Sequence, residues 1–178
     1  MLFRSGCRGR VWPVSVDSAS VCAEYVGGAV TRGEVEVDAG QTHGLPVKRL
    51  WLEPEPSIHP AVADAIRTFD AVIIGPGSFF TSILPPLHVK GVREALASVR
   101  GPVILITNLL TEGRGMSGFT AADAAGWVSR AIDRPVDVVI ANTSSPSPDV
   151  LARYAAEHKV PLAIGRLDRK STRLNSSH

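Results

Sequence analysis

The residues best suited to chemistry fall in three polar segments. The first is Gly75-Pro76-Gly77-Ser78-Phe79-Phe80-Thr81-Ser82. Glycines let a backbone approach an anion closely, and main-chain N–H groups together with the hydroxyls of Ser78, Thr81 and Ser82 can donate to phosphate oxygens. The same residues read equally well as a tight turn whose hydroxyls satisfy local backbone. The segment is not a P-loop, since no Gly-Lys-Ser/Thr follows, and it is not the dinucleotide fingerprint. The second segment, Thr107 to Gly118, carries Asn108, Thr111 and the carboxylate of Glu112 among Gly113, Gly115 and Gly118. It suits a mobile ligand-covering loop or an ordinary crossover. The third, Asn142 to Ser147, places Asn142 and Thr143 where they can meet a base, ribose or phosphate, or cap the next element.

Other chemistries find less support. His43, His59, His88 and His158 show no metal-ligand spacing, and His158, next to Lys159 near a helix end, reads as solvated. No serine occupies a Gly-x-Ser-x-Gly elbow, and no Cys–His pair is signalled. Asp64 and Asp70 read as caps or surface carboxylates.

For the three segments to act together, they must leave one edge of one sheet. Ala71-Val72-Ile73-Ile74 is a continuous apolar run of the kind found in strands covered on both faces. Pro102 to Ile106 and Val136 to Ala141 follow the same pattern, and each polar segment starts where one of these runs ends. Between them lie apolar residues at helical spacing: Val89, Val92, Leu96 and Val99, then Ala124, Trp127, Val128 and Ala131. Thr120 and Asp123 form a weaker capping pattern ahead of the second set, and Pro148 opens a further helix through Glu157. Strand, polar loop and helix in this order predict an α/β fold, a Rossmann-like three-layer open parallel sheet with helices on both faces. Its strands centre on Ile73, Ile104 and Val139, and such sheets bind ligands at the C-terminal ends of the strands. Ahead of this core, Ser20 to Val26, Gly27-Gly28 and Ala29 to Val37 read as an early β-hairpin. Val47 to Leu52 is another strand, and Pro60 begins a helix with Val62, Ala65, Ile66 and Phe69 on one face.

The chain has 178 residues, 44% of them hydrophobic, with 16 Gly and 13 Pro. Its ends, residues 1–5 and 168–178, are expected to be non-native, adapter-derived sequence, which leaves 6–167 as a partial domain, incomplete at both sides. Setting aside Arg4, Asp168, Arg169, Lys170 and Arg173 turns the formal charge of +2 slightly acidic, so the composition points to no nucleic-acid partner. Cys7 and Cys22 are too few for a disulfide framework, which favours a reducing compartment. No apolar run reaches the ~18 residues of a membrane span.

Several stretches, taken in order, resemble one family. They are Val30-Thr31-Arg32-Gly33-Glu34, Leu52-Glu53-Pro54, Asp70 to Ser82, Leu84-Pro85, Val89-Lys90-Gly91-Val92, Asn108-Leu109-Leu110-Thr111-Glu112, and Gly118 to Asp123. From about Gly9 to Gly165 the sequence resembles the bacterial gluconeogenesis factor family, relatives of 2-phospho-L-lactate transferase. The resemblance implies a cytoplasmic protein with a Rossmann-like core, linked to growth on gluconeogenic carbon sources and to cell shape. It also implies a nucleotide-sugar ligand and a non-catalytic regulator, with a homo-oligomer left open. The alternative it implies is a transferase moving a phospholactate-type group from a nucleotide-activated donor to a deazaflavin acceptor, and only this alternative calls for Mg²⁺. By resemblance, Gly75, Gly77, Ser78, Thr81 and Ser82 are ligand-binding, as are Asn108, Thr111 and Asn142. The family's glycine-rich N-terminal strand-turn-helix has no counterpart in this sequence.

Overall fold

The computed structural model describes residues 9–42, 44–166 and 172–173. The chain runs β1 (Ser20–Tyr25), β2 (Val30–Arg32), α1 (Glu34–Thr42), β3 (Val47–Glu53), α2 (Pro60–Ile66) and β4 (Val72–Ile74). A short π-helical turn (Phe79–Ile83) leads into α3 (Leu84–Leu87), α4 (Val92–Ala97), β5 (Val103–Ile106) and a 3-10 turn (Arg114–Met116). Then follow α5 (Ala121–Ile132), β6 (Val138–Ile140), α6 (Pro148–Ala155) and β7 (Thr172–Arg173).

The three strands expected to be parallel neighbours are so. Ile73 pairs with Ile104, and Leu105 pairs with Val139. The four-stranded sheet has the order β4-β5-β6-β7, with β7 parallel to β6. Its loops leave one edge as the crossover rule requires. Side chains of α5 at Ala121, Ala124, Val128 and Ile132 are buried on one helical face. Its start is fixed by a reciprocal cap: Thr120 N–H donates to Asp123 Oδ2 at 2.9 Å, and Asp123 N–H donates to Thr120 Oγ1 at 3.2 Å.

The structure corrects the expectation of a single three-layer parallel sheet. The strands divide into two sheets, the second a three-stranded antiparallel one of order β2-β1-β3. The predicted hairpin is also shorter than its pattern. Its second strand stops at Arg32, and residues 34–42 form α1 instead. Gly33 turns the chain with φ of +99°, and Glu34 and Glu36 place negative charge in the first helical turn, where the dipole favours it. Val37 is then fully buried, and its carbonyl accepts a hydrogen bond from the Tyr25 hydroxyl at 3.2 Å. Packing therefore overrides the strand propensity of Val35 and Val37. A further correction concerns β4. It is the edge strand, and Ile73 is 65% exposed, so the run is not covered on both faces.

One contiguous apolar core spans both sheets, from Val21, Ala23 and Leu50 to Leu84, Leu105 and Val139. Phe79, Phe80, Phe119 and Trp127 interlock within it, with Phe80 and Trp127 edge-to-face at 5.5 Å. At the N-terminal edge of the parallel sheet the Arg134 guanidinium donates to the carbonyls of Val99 (2.8 Å) and Gly101 (3.1 Å) and to Asp137 Oδ2 (3.3 Å). Asp137 Oδ2 also accepts the Val103 N–H at 2.8 Å, so one ion pair sets β5 against β6. Among the described residues, no helix is long and apolar enough to cross a membrane.

Candidate functional site

The loops after β4 and β5 lock together through side chain and backbone. Asn108 reads Gly77 in both directions: Gly77 N–H donates to Asn108 Oδ1 at 3.1 Å, and Asn108 Nδ2 donates to Gly77 O at 2.8 Å. Its amide also donates to Glu112 Oε1 at 2.7 Å. The Glu112 carboxylate crosses to the first loop, where Phe79 N–H donates to both oxygens at 2.9 Å and the Ser78 hydroxyl donates to Oε2 at 3.3 Å. Ser78 Oγ and Thr81 Oγ1 share a further hydrogen bond of 2.7 Å. Glu112 thus caps the N-terminal turn at Phe79–Ile83 as a built-in anion, in a place where an orphan N–H attracts negative charge.

Of the residues read from sequence, Gly77, Ser78, Thr81 and Asn108 meet in this knot, and Gly75 opens the loop with φ of +81°. Ser82 lies on the same turn with its side chain exposed. Thr111 is turned elsewhere. It is 3% exposed and pairs with Val160, N–H to carbonyl at 2.8 Å and Val160 N–H to its hydroxyl at 3.1 Å. Asn142 closes its own loop, with Oδ1 accepting Ser144 N–H and Nδ2 donating to Ser144 O. The first two segments therefore converge, while Asn142 stands apart.

A cleft of about 730 Å³ opens beside the knot, lined by Ser78, Glu112, Asp38, Arg114, His158 and Lys159, among others. The last three and Asp38 were not read as site residues. Asp38 escaped because the expected strand ends at Val37 and the helix α1, which carries Asp38, was not expected. Arg114 sits in a glycine-rich stretch with no periodicity. His158 and Lys159 do follow a helix, but only the fold brings them back to Ser78.

Burial pushes the Glu112 carboxyl above the ordinary glutamate range. The hydrogen bonds from Phe79 N–H and Ser78 pull it back in part, Asp38 adds to the rise, and Asn108 opposes it. Because the folded value lies above the unfolded one, the stability contributed by this group is fully present below the unfolded value of ~4.3 and is lost as pH rises through the raised value. Urea unfolding between about pH 4 and 7 is expected to show wild-type stability falling with pH relative to Glu112→Gln. Wild-type stability that rises with pH relative to Glu112→Gln would contradict this.

The residues do not make a magnesium site by themselves. Among the described residues no group of three His, Cys, Asp or Glu side chains converges, and both Glu112 oxygens already accept hydrogen bonds.

The family described as "2-phospho-L-lactate transferase CofD" matches residues 3–176, which takes in most of both ends. The chain belongs to the CofD family. It is 33% identical to a protein of Aquifex aeolicus over 168 residues, covering 92% of this chain and 51% of that protein. It is 31% identical to the gluconeogenesis factor of Bacillus subtilis, covering 87% of this chain and 49% of the relative. In three dimensions it is similar to a crystal structure of a UPF0052-family protein of Bacillus halodurans, with a TM-score of 0.85 at 28% identity. That likeness covers 95% of this chain and 55% of the other. As a member of the CofD family, the chain spans about half the length of these relatives.

Proposed function

We propose that the whole protein binds a nucleotide-activated phosphorylated molecule across the loops after β4 and β5 and transfers a phospholactate-type group from it to a hydroxyl acceptor. The observation that carries this reading is the joining of the Gly75–Ser82 loop to Asn108 and Glu112 beside a cleft that also holds Arg114, His158 and Lys159. The description of the CofD family supports the transfer. In such a step the acceptor oxygen forms a new bond to phosphorus, the bond from phosphorus to the nucleotide phosphate oxygen breaks, the nucleoside monophosphate leaves, and the hydroxyl proton passes to that leaving phosphate or to water. Charge on the phosphoryl oxygens must be neutralised by fixed donors and cations, which the loop hydroxyls, Arg114 and Lys159 supply on this chain. Magnesium ligands for the transfer would come from outside the described residues. Gly75, Gly77, Ser78, Thr81 and Ser82 position the phosphate in this reading, with Asn108 holding the loops in register. Thr111 keeps the second loop against Val160, and Asn142 meets the sugar or base from the third loop.

A second reading, a cytoplasmic nucleotide-sugar-binding regulator of the gluconeogenesis-factor type, is favoured by one observation. The Glu112 carboxylate is saturated by protein donors and thus acts as a brace. Incubating the whole protein with a nucleotide-activated phospholactate donor, a deazaflavin acceptor and Mg²⁺ separates the two. Transferred product detected by mass spectrometry, and lost on chelation, is the expected result. Saturable uridine-diphosphate-sugar binding without product would replace it with the regulator, and binding of neither ligand would overturn both.

A further inference from the structure

Arg114, His158 and Lys159 line the cleft beside Ser78 and also a second cleft of about 480 Å³. They are the wall between the two. The second cleft is less polar, with Leu151, Ala155, Val160 and Pro161 on its sides. Within the wall the Arg114 guanidinium contacts His158 Nε2. A guanidinium has no acceptor, so in this contact the ring nitrogen accepts. Among the described residues, the planar, five-donor fork of Arg114 meets this ring nitrogen, although that fork matches phosphate geometry far better. Lys159 lies alongside, its Nζ 2.6 Å from Glu157. His158 itself is held at φ of +55°, a left-handed conformation uncommon for a residue with a side chain, which fixes the turn that delivers both side chains to the wall.

We propose that Arg114, His158 and Lys159 form the subsite for the phosphate groups of a nucleotide-linked ligand, and that the Arg114–His158 contact parts so that the ligand lies across both clefts. This rests on the ligand class of the preceding section and adds three residues to the phosphate contacts given there to the Gly75–Ser82 loop. The phosphates bridge Arg114 and Lys159, with the His158 ring turning to donate. The less polar end of the ligand packs against Leu151, Val160 and Pro161. Ser78 of the Gly75–Ser82 loop, which lines the same cleft as Arg114, then meets the ligand as well.

Calorimetry on the whole protein tests this with guanosine diphosphate and uridine diphosphate, each beside its bare nucleoside. Arg114→Ala is expected to weaken binding of the preferred diphosphate about tenfold or more, the scale of one charge-assisted contact, and to leave nucleoside binding unchanged. Lys159→Ala has a smaller effect because Glu157 shares its charge. Arg114→Lys keeps the charge but loses the fork, so it falls between wild type and alanine. It also provides the measurement if the alanine variant melts early. Imidazole nitrogen NMR should show the His158 Nε2 resonance shifting as diphosphate is added and the contact with Arg114 parts. Diphosphate binding by Arg114→Ala/Lys159→Ala equal to wild type would overturn the subsite while leaving the ligand class standing. Wild-type protein that binds neither diphosphate would overturn the ligand class and the subsite together.

Discussion

Gly101→Ala is expected to prevent the folded protein from accumulating. A β-carbon at Gly101 would lie 1.6 Å from the carbonyl oxygen of Asp70 and 2.4 Å from its carbon. Both neighbours are backbone, two residues ahead of β4, and Val72 N–H at its first residue donates to Pro102 O at 2.9 Å. No side chain can rotate aside. Relief requires β4 and β5 to separate at their first residues, which also pulls Gly101 O away from Arg134. The loss should reach about 4 kcal/mol or more, the top of the range for single substitutions and a large share of a domain's total stability. Soluble yield and urea unfolding of the whole protein measure it. A variant within about 1 kcal/mol of wild type would show that the two strand entries are not this tightly apposed.

Gly75→Val should damage both stability and ligand binding. Gly75 has φ of +81°, and a β-carbon there would stand 2.6 Å from the backbone oxygen of Ile106 at the end of β5. The strain of a β-branched residue in that conformation together with the contact should cost about 2–4 kcal/mol. The loop can escape only by moving away from β5, which breaks the paired bonds between Gly77 and Asn108. Affinity for the nucleotide-linked ligand is expected to drop by at least about tenfold in calorimetry under conditions where the variant remains folded. Ser82→Ala, at an exposed position on the same turn, is the control and should melt like wild type. Unchanged affinity in folded Gly75→Val would detach this loop from the ligand.

The parallel half of the fold was legible because its signals are local. Ile73, Ile104 and Val139 each lie in a short apolar run that ends in a polar loop, and one crossover rule orders them. In the antiparallel half the hairpin of β1 and β2 and the strand β3 were legible, but α1 was not, because it is decided by what Val37 packs against, and the sequence around it alternates like a strand. The same loss hid Asp38. In the site, Asn108 and Glu112 stood out as polar residues following a strand, but their partners did not. The bonds from Asn108 to Gly77 and from Glu112 to Phe79 join residues more than thirty positions apart, and no spacing rule encodes them. Thr111 looked the same as Asn108 on paper. Only burial separates them, since Thr111 faces Val160.

Arg134 and Asp137 hold β5 and β6 together at the end of the sheet remote from the ligand loops. Under the proposed function, anchorage and recognition fall on opposite rims. On the proposed reading, substitutions can gather around Arg114 or His158, outside the knot that joins the two loops, without loosening the strands, and substitutions at Arg134 would loosen the strands without touching the ligand. Such a separation frees the upper rim to drift in ligand preference, or to lose turnover and keep binding, while the scaffold beneath stays the same. Members of one family can in this way part company in occupation before they do so in shape.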